Sequence, residues 1–139
     1  MSENKATNAY QALLKKPMMD FSQYMKFALY DAEHGYYASQ KHPFGTQGDF
    51  ITAPHMSPWF SWAIANWIYD NRFEAVVEWG PGNGQMAVDI MRYLLEQYGY
   101  QVEYTLIETS QSLIEFQKNK LARELDLEPQ EAKEMLTDF

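Results

Sequence analysis

The chain has 139 residues, of which 46 % are apolar and 16 % aromatic, so a globular domain with a hydrophobic core is expected. It has no cysteine and no apolar run long enough to span a membrane, which excludes disulfides, thiolate metal sites and a transmembrane helix. The net charge of −8 is carried by residues 73–139, which argues against nucleic-acid binding and favours a basic protein partner. The N-terminus lacks the pattern of a secretory or organellar leader, so we expect a cytoplasmic protein.

Residues 1–72 are predicted to form helices around one long loop. A short helix is expected over 6–16, and Asp20 is a suitable N-cap for a second helix. Residues 31–54 are rich in Gly, Pro and polar turn formers, and loops of that length are usually functional or mobile. The histidines lie in or beside this loop without the spacing of metal ligands, so no metal site is predicted; they are His34, His42 and His55.

A third helix is predicted to begin at Ser57, because the proline that follows suits the first turn of a helix. Its apolar residues recur at helical spacing and are expected to face the core. They are Trp59, Phe60, Ala63, Ile64, Trp67 and Ile68. The sequence therefore predicts a helical, substrate-binding region at 1–72, followed by a separate domain at 73–139.

The pattern then changes to alternating strands and helices. Short apolar runs over 74–79 and 102–108 predict two strands, and residues 84–98 predict the helix between them. Another helix follows Ser110, and a charged helical tail is expected to continue to Phe139. Strand, glycine loop, helix and strand in this order predict a parallel sheet in an α/β fold.

Glycines at alternate positions, 80, 82 and 84, join the first strand to the next helix. Such a bare backbone lets amide groups approach a ligand closely at the helix N-terminus. A Walker-type phosphate loop needs Gly-Lys-Ser/Thr, and the Gln85 that follows the last glycine excludes it. A dinucleotide loop would need glycine where Gln85 stands, which leaves a nicotinamide oxidoreductase as a distant alternative.

S-adenosylmethionine is the third candidate ligand, because it carries no phosphate and offers two groups that suit carboxylates. Glu78, at the end of the first strand, is placed to face the ammonium group of the methionine moiety. Glu108, at the end of the second strand, is placed to accept hydrogen bonds from both ribose hydroxyls, as an acid does in the dinucleotide fold. A tight turn flanked by two solvated glutamates is the simpler alternative. Both acids together with the glycine loop favour a methyltransferase.

Four stretches extend this pattern along the chain from about Asp20 to Leu121: FALYDAEHGYYAS, GDFITAPHMSPWF, VVEWGPGNGQMAVDI and YTLIETSQSLIEFQKNKL. Through them the chain resembles the MidA-type methyltransferases, which include a mitochondrial protein-arginine methyltransferase needed for respiratory complex I assembly. The resemblance implies S-adenosylmethionine as cofactor and arginine of a partner protein as methyl acceptor. It also implies a partial class I methyltransferase fold, a Rossmann-like parallel sheet preceded by an N-terminal helical cap.

The resemblance further implies roles for individual residues. A guanidinium stays protonated and must be oriented by a carboxylate, for which Asp49 is the best candidate, with Tyr36 and Tyr37 as aromatic walls. The alternative for Asp49 is a turn residue bonded to its own backbone. The family often has Glu where His55 stands and Gly where Ser61 stands. The cofactor-binding residues implied are Glu78, Gly80, Pro81, Gly82, Gly84, Glu108 and Gly48.

Members of the family are well over twice as long as this chain, so the chain is expected to be an N-terminal, truncated part. In a class I sheet the first strand is paired on both sides, and without the fourth strand it exposes an apolar edge. We therefore expect association through that edge, for example as a homodimer. Because most of the acceptor half of the site is missing, the alternative function is a non-catalytic module that binds a protein partner.

Overall fold

The structure is a computed structural model that describes residues 3–16, 18–31, 33–37 and 52–138. Its helices and strands are, in chain order, α1 (Glu3–Leu14), α2 (Phe21–Tyr30), α3 (Ala53–Met56), α4 (Trp59–Asn71), β1 (Ala75–Trp79), α5 (Gln85–Tyr98), β2 (Glu103–Glu108), α6 (Gln111–Leu125), α7 (Pro129–Glu134) and β3 (Leu136–Asp138). They form two compact units, Met1–Lys41 and His42–Phe139. Within the second of these units, α4 packs on α5.

The first unit contains α1, α2 and the Gly-Tyr-Tyr segment. Asp20 caps α2 as predicted. Its Oδ1 accepts a hydrogen bond from the Gln23 amide at 2.8 Å, and Gln23 Oε1 accepts one from the Asp20 amide at 3.1 Å. This reciprocal pair satisfies backbone donors that the start of a helix leaves without intrahelical partners.

A tight turn after α2 fixes the two tyrosines of that segment. The Gly35 amide donates to the Asp31 carbonyl at 2.8 Å, and the Tyr36 amide donates to the Ala28 carbonyl at 2.9 Å. The Tyr37 amide bonds the next carbonyl of α2, also at 2.9 Å. The two tyrosine rings meet edge to face, with 5.1 Å between centroids. The positions of both rings therefore depend on the conformation of this turn.

The second unit is built on a parallel sheet in the order β1-β2-β3. Glu78 of β1 lies opposite Leu106 of β2, and Glu108 at the end of β2 lies opposite Asp138 of β3. The predicted α/β fold with a parallel sheet is confirmed, as are its two strands and the helix between them.

The end of the chain differs from the prediction. The prediction of a charged helical tail that reaches Phe139 is wrong, because α7 ends at Glu134 and β3 follows it as a third parallel strand. A strand of three residues is too short to show an alternating pattern in the sequence. It is defined by its partner: the Leu106 amide donates to the Met135 carbonyl at 2.8 Å.

The core lies between the sheet and the helices α5 and α6. Ile90 and Leu94 of α5 pack with Leu106 of β2 and Leu121 of α6, and all four side chains are buried. Along α5 and α6 these residues recur at the spacing of one helix face, which is typical of a face that packs on a core. Burial of aliphatic side chains of this size contributes about 1.5–3 kcal/mol each, so this cluster is a main source of the stability of the unit.

The face that α4 turns to the core was mostly predicted wrongly. Ser61 and Ala65 are fully buried, and these small side chains allow α4 to approach α5 closely. Of the residues predicted to face the core, Ile68 is buried and Ile64 half-buried, whereas Trp59, Phe60, Ala63 and Trp67 are exposed. Apolar residues occur on most sides of α4, so helical spacing could not identify the buried face.

The outer edge of β1 is open within the described part of the chain, where only β2 pairs with this strand. The Gly80 amide points to β2, donating to the Ile107 carbonyl at 2.9 Å. By alternation along the strand, the amide of Val77 points away from β2. Val77 is 55 % exposed. None of the described helices is long and apolar enough to cross a membrane.

Candidate functional site

The loop between β1 and α5 has a backbone that requires its glycines. Gly80, Gly82 and Gly84 have φ angles of 62°, 59° and 72°, in the left-handed region that disfavours residues with a Cβ atom. The Gly84 amide donates to the Pro81 carbonyl at 2.9 Å, and Gly84 is the N-cap of α5. The loop therefore places the amino end of α5 beside the carboxyl ends of the strands, where open α/β sheets bind ligands.

Glu78 is buried beneath this loop and bonded to a neighbouring strand. Its Oε2 accepts a hydrogen bond from the Tyr104 hydroxyl at 2.8 Å. Burial raises the pKa of Glu78 above its ordinary value, and the hydrogen bond from Tyr104 opposes part of that rise. Burial and the neighbouring Glu78 carboxylate in turn raise the pKa of Tyr104. The protonation state of Glu78 therefore depends on burial and on the groups that contact its carboxyl.

Glu78→Gln is expected to stabilise the protein at neutral pH. A carboxyl with a raised pKa in the folded state stabilises fully only below its unfolded pKa, and that contribution is lost as pH rises through the folded value. We expect Tm of Glu78→Gln to exceed that of the wild type at neutral pH, with the difference vanishing below about pH 4. Thermal unfolding across pH measures it.

Tyr104→Phe is the companion variant, because it removes the hydrogen bond that stabilises the charged form of Glu78. Its Tm at neutral pH should fall relative to the wild type more than its Tm in acid. A Tm difference for Glu78→Gln that does not change with pH would show that the folded-state pKa is not raised.

Glu108, the last residue of β2, has its carboxylate held by the backbone that follows it. Its Oε1 accepts hydrogen bonds from the amides of Thr109 and Ser110, at 2.8 and 2.9 Å. The side chain is 7 % exposed and lies next to the glycine loop, because the preceding residue of β2 pairs with the last residue of β1. A carboxylate has two oxygens with acceptor capacity to spare, so Oε2 can accept from the hydroxyl groups of a ligand.

Gln117 of α6 joins the two parts of the site and was not predicted as a site residue. Its Nε2 donates to the Gly82 carbonyl at 2.8 Å and contacts Glu108 Oε2 at 3.4 Å. The side chain is completely buried. Gln117 lies on the buried face of α6 between Leu113 and Leu121, and a polar residue at helical spacing between two leucines is the signal that could have identified it.

A buried polar network ties α6 to α5 and α4. Lys120 Nζ donates to Gln85 Oε1 at 2.6 Å, and Gln85 Nε2 donates to Asp89 Oδ1 at 2.8 Å. Burial lowers the pKa of Lys120, although the charges of Glu124 and Asp89 oppose this. Ser61, where the family often has glycine, donates to Asp89 Oδ2 at 3.4 Å. Gln85, whose presence excluded a Walker loop, therefore links α5 to α6.

The structure describes only some of the site residues that were predicted in the first half of the chain. Gly48 and Asp49 lie outside the described residues. Tyr36 and Tyr37 lie in the first compact unit, and Thr52 Oγ1 contacts His55 Nδ1 at 2.7 Å in the second. The described part of the chain holds no cluster of three or more acidic or histidine side chains arranged for a metal ion. Of the predicted site residues, the structure brings together those of the glycine loop and the two strand-end acids.

A cavity of about 640 Å³ lies away from this loop, at the amino end of β2. It is lined by the end of α5 and by α7, with Glu103, Glu131 and Glu134 at its wall. Ligands of open α/β sheets bind outside the carboxyl ends of the strands. The glycine loop and Glu108 lie at the carboxyl ends of the strands, so the cavity is at the opposite end of the sheet from the candidate ligand site.

Comparison with curated proteins finds long relatives that share part of their length with this chain. The protein arginine methyltransferase NDUFAF7 of Mus musculus, a mitochondrial protein, is 36 % identical over 115 residues, covering 74 % of this chain and 26 % of the mouse protein. The Homo sapiens protein of the same name is 35 % identical over the same length and with the same coverage. The chain thus spans about a quarter of the length of these relatives.

Comparison with solved structures supports the fold. A Burkholderia thailandensis protein bound to S-adenosyl-homocysteine matches with a TM-score of 0.69 at 23 % identity, over 97 % of this chain and 36 % of that one. A native crystal structure from the same organism matches with a TM-score of 0.60, over 34 % of its chain. At this identity the likeness establishes the fold alone.

A family model with the description "Putative S-adenosyl-L-methionine-dependent methyltransferase" matches residues 61–136, more than half of the chain. The match includes β1, the glycine loop, β2 and Gln117. It confirms the family resemblance read from the sequence motifs, and the cofactor of the family is the one that the two strand-end acids predicted. The chain belongs to this family of S-adenosyl-L-methionine-dependent methyltransferases.

Proposed function

We propose that this chain provides the S-adenosylmethionine-binding part of a methyltransferase that acts on an arginine side chain of a protein. The observation that carries the proposal is the arrangement of Glu108 beside a loop of left-handed glycines at the carboxyl ends of parallel strands. The relatives named as protein arginine methyltransferases support the acceptor class. Because this chain matches 26 % of their length, the complete activity is part of the proposal.

The residues of the site fit the proposed cofactor. Glu108 Oε2 would accept hydrogen bonds from the ribose hydroxyls, since Oε1 is already occupied by backbone amides. Gly80, Pro81, Gly82 and Gly84 would let the ligand approach the backbone, and Glu78 would complement the ammonium group from below the loop. When bound, S-adenosylmethionine would supply an activated methyl group to a guanidinium nitrogen; S-adenosylhomocysteine would be left, and the nitrogen would release one proton to solvent.

The acceptor side of the site is proposed from the sequence. Asp49 would orient the guanidinium and concentrate its charge away from the attacking nitrogen, while Tyr36 and Tyr37 would flank it. Gly48 would contribute to the binding of the cofactor. The measurement that bears on this assignment is methyl transfer by Asp49→Asn under conditions where its affinity for S-adenosylhomocysteine is unchanged.

Calorimetric titration with S-adenosylmethionine and S-adenosylhomocysteine tests the proposed function. We expect micromolar binding by the wild type. Gly82→Val should weaken it at least about tenfold, because a branched side chain at a left-handed φ costs about 1–2 kcal/mol and distorts the loop.

Gly99→Val is the matched control, because Gly99 has a φ of 57° but lies at the far end of α5. It should carry the same backbone strain and keep cofactor affinity. If the folded wild type bound neither compound, the methyltransferase assignment would be wrong for this chain. Equal losses in the two variants would show that the loop is not the binding site.

The open edge of β1 favours a second function, association with a protein partner. Val77 combines an exposed apolar side chain with backbone groups directed away from β2. An edge of this kind pairs readily with another strand, and we propose a second copy of this chain as its occupant. The acidic surface of residues 73–139 would suit a basic partner elsewhere.

Val77→Pro is expected to convert a dimer of this protein into a monomer in sedimentation velocity experiments. Proline removes the amide that faces the open edge, while the β1–β2 hydrogen bonds made by the neighbouring residues remain. Val77→Thr, which keeps that amide but reduces the apolar surface, should remain a dimer. A wild type that is monomeric at high concentration would overturn the edge-pairing proposal.

We propose the cytoplasm as the location of this protein. The relatives NDUFAF7 carry a mitochondrial designation, which is a property of those proteins. Fractionation of cells that express the native gene product, with detection in the cytosolic and organellar fractions, would decide between the two locations.

A further inference from the structure

Gln117 occupies a position where packing alone would favour an apolar residue. It lies on the buried face of α6, one turn from both Leu113 and Leu121, and its side chain is completely inaccessible to solvent. Its Oε1 has no hydrogen-bond partner within the described part of the chain. A buried acceptor without a partner lowers stability, so the presence of glutamine here needs a reason other than packing.

The orientation of the amide group is fixed by its neighbours. Nε2 lies 2.8 Å from the Gly82 carbonyl and 3.4 Å from Glu108 Oε2, and both are acceptors. Turning the amide over would place Oε1 against a carbonyl and a carboxylate, which repel it. The side chain also packs over the loop, with its Cγ 3.6 Å from where a Cβ of Gly84 would lie. Gln117 therefore acts as a donor to both halves of the site.

We propose that Gln117 is a positioning residue, which holds Glu108 and the glycine loop in the geometry that binds a ribose-bearing ligand. This proposal rests on the proposed function. The Thr109 and Ser110 amides fix Oε1 of Glu108, and Gln117 fixes the direction of Oε2, the oxygen left for the ribose. Its second bond, to the Gly82 carbonyl, keeps the loop at a constant distance from that oxygen.

The test compares the affinities of S-adenosylhomocysteine and its 2′-deoxy analogue by calorimetry. The wild type should prefer the ribose form by about tenfold, because one charge-assisted hydrogen bond to Glu108 is lost with the hydroxyl. In Gln117→Met, which keeps length and volume, the preference should fall to within about twofold.

Gln97→Met, on the exposed surface of α5, makes the same chemical change away from the site and should preserve the tenfold preference. A purely structural role for Gln117 would weaken both ligands equally and leave the preference unchanged, which would overturn the proposal. Thermal unfolding accompanies each variant, and we expect Tm of Gln117→Met to stay close to that of the wild type.

A measurement without ligand separates this proposal from the proposed function. Hydrogen exchange at the Thr109 and Ser110 amides should quicken by about tenfold in Gln117→Met, because their acceptor Glu108 loses a restraint. Unchanged exchange would overturn the positioning role. If the wild type bound neither compound, the proposed function and the ligand-binding role of Gln117 would fail together, while exchange would still report whether Gln117 restrains Glu108.

Discussion

Replacing Glu108 with alanine is expected to weaken binding of S-adenosylhomocysteine by about 100-fold, since hydrogen bonds to a charged group contribute about 1.5–3 kcal/mol each. Glu108 is 7 % exposed and its carboxylate is held by two backbone amides, so little side-chain entropy remains to be lost when a ligand binds. The ribose hydroxyls would lose a pre-oriented acceptor that water cannot replace in a buried site. Calorimetry at constant pH and salt measures the change.

Glu108→Gln provides the matched comparison. It retains an oxygen for the amides of Thr109 and Ser110 but replaces the charged acceptor with a neutral amide, so an intermediate loss of about tenfold is expected. The Tm of both variants must be recorded, because Glu108→Ala also leaves those amides without their acceptor. Wild-type affinity in a folded Glu108→Ala would refute the assignment of this residue to the ribose.

Gly35→Ala is expected to destabilise the first unit by on the order of 3 kcal/mol, the upper range for forcing an atom into a packed site. A Cβ at this position would lie 2.5 Å from both the amide nitrogen and the carbonyl oxygen of Asp31. These are backbone atoms at the end of α2, so no side chain can move aside. Because the same turn directs Tyr36 and Tyr37 to their carbonyl partners in α2, both amides should lose protection from hydrogen exchange.

Gly99→Ala separates steric conflict from backbone strain. Gly99 has a φ of 57° and no atom within 4 Å of an added Cβ, so its substitution introduces strain without a clash. We expect a loss of about 1 kcal/mol there, confined to the second unit. If Gly35→Ala left the exchange rates of Tyr36 and Tyr37 unchanged, the close packing around Gly35 would not be a feature of the protein in solution.

The glycine loop is a feature that could be predicted from residues close together in the sequence. Alternating glycines behind a strand predicted a loop whose bare backbone a ligand can approach, and Gly80, Gly82 and Gly84 all adopt the left-handed conformation that favours glycine. The N-cap of α2 and the parallel pairing of the two main strands also follow from neighbouring residues, because caps and apolar runs are local features. The family, too, was readable from the order of its motifs.

Other features of the site and of the core depend on contacts between segments that are far apart in the sequence. Gln117 became a site residue because α6 carries it over a loop that lies 35 positions earlier in the chain, where it reaches the Gly82 carbonyl. The small residues Ser61 and Ala65, and not the tryptophans, determined which face of α4 is buried, since close approach to α5 depends on the shapes of both helices.

By itself, the sequence determined the family, the parallel α/β fold and the positions of the glycine loop and its two acids, because each depends on residues close together in the chain. Only the tertiary structure decided that β3 completes the far side of the sheet, that Tyr104 binds Glu78, and that Gln117 joins the loop to Glu108. Those features arise when β2, β3 and α6 pack together. The spacing of apolar residues in the sequence shows which face of a helix or strand points inward, but it does not show which residue of another element that face contacts.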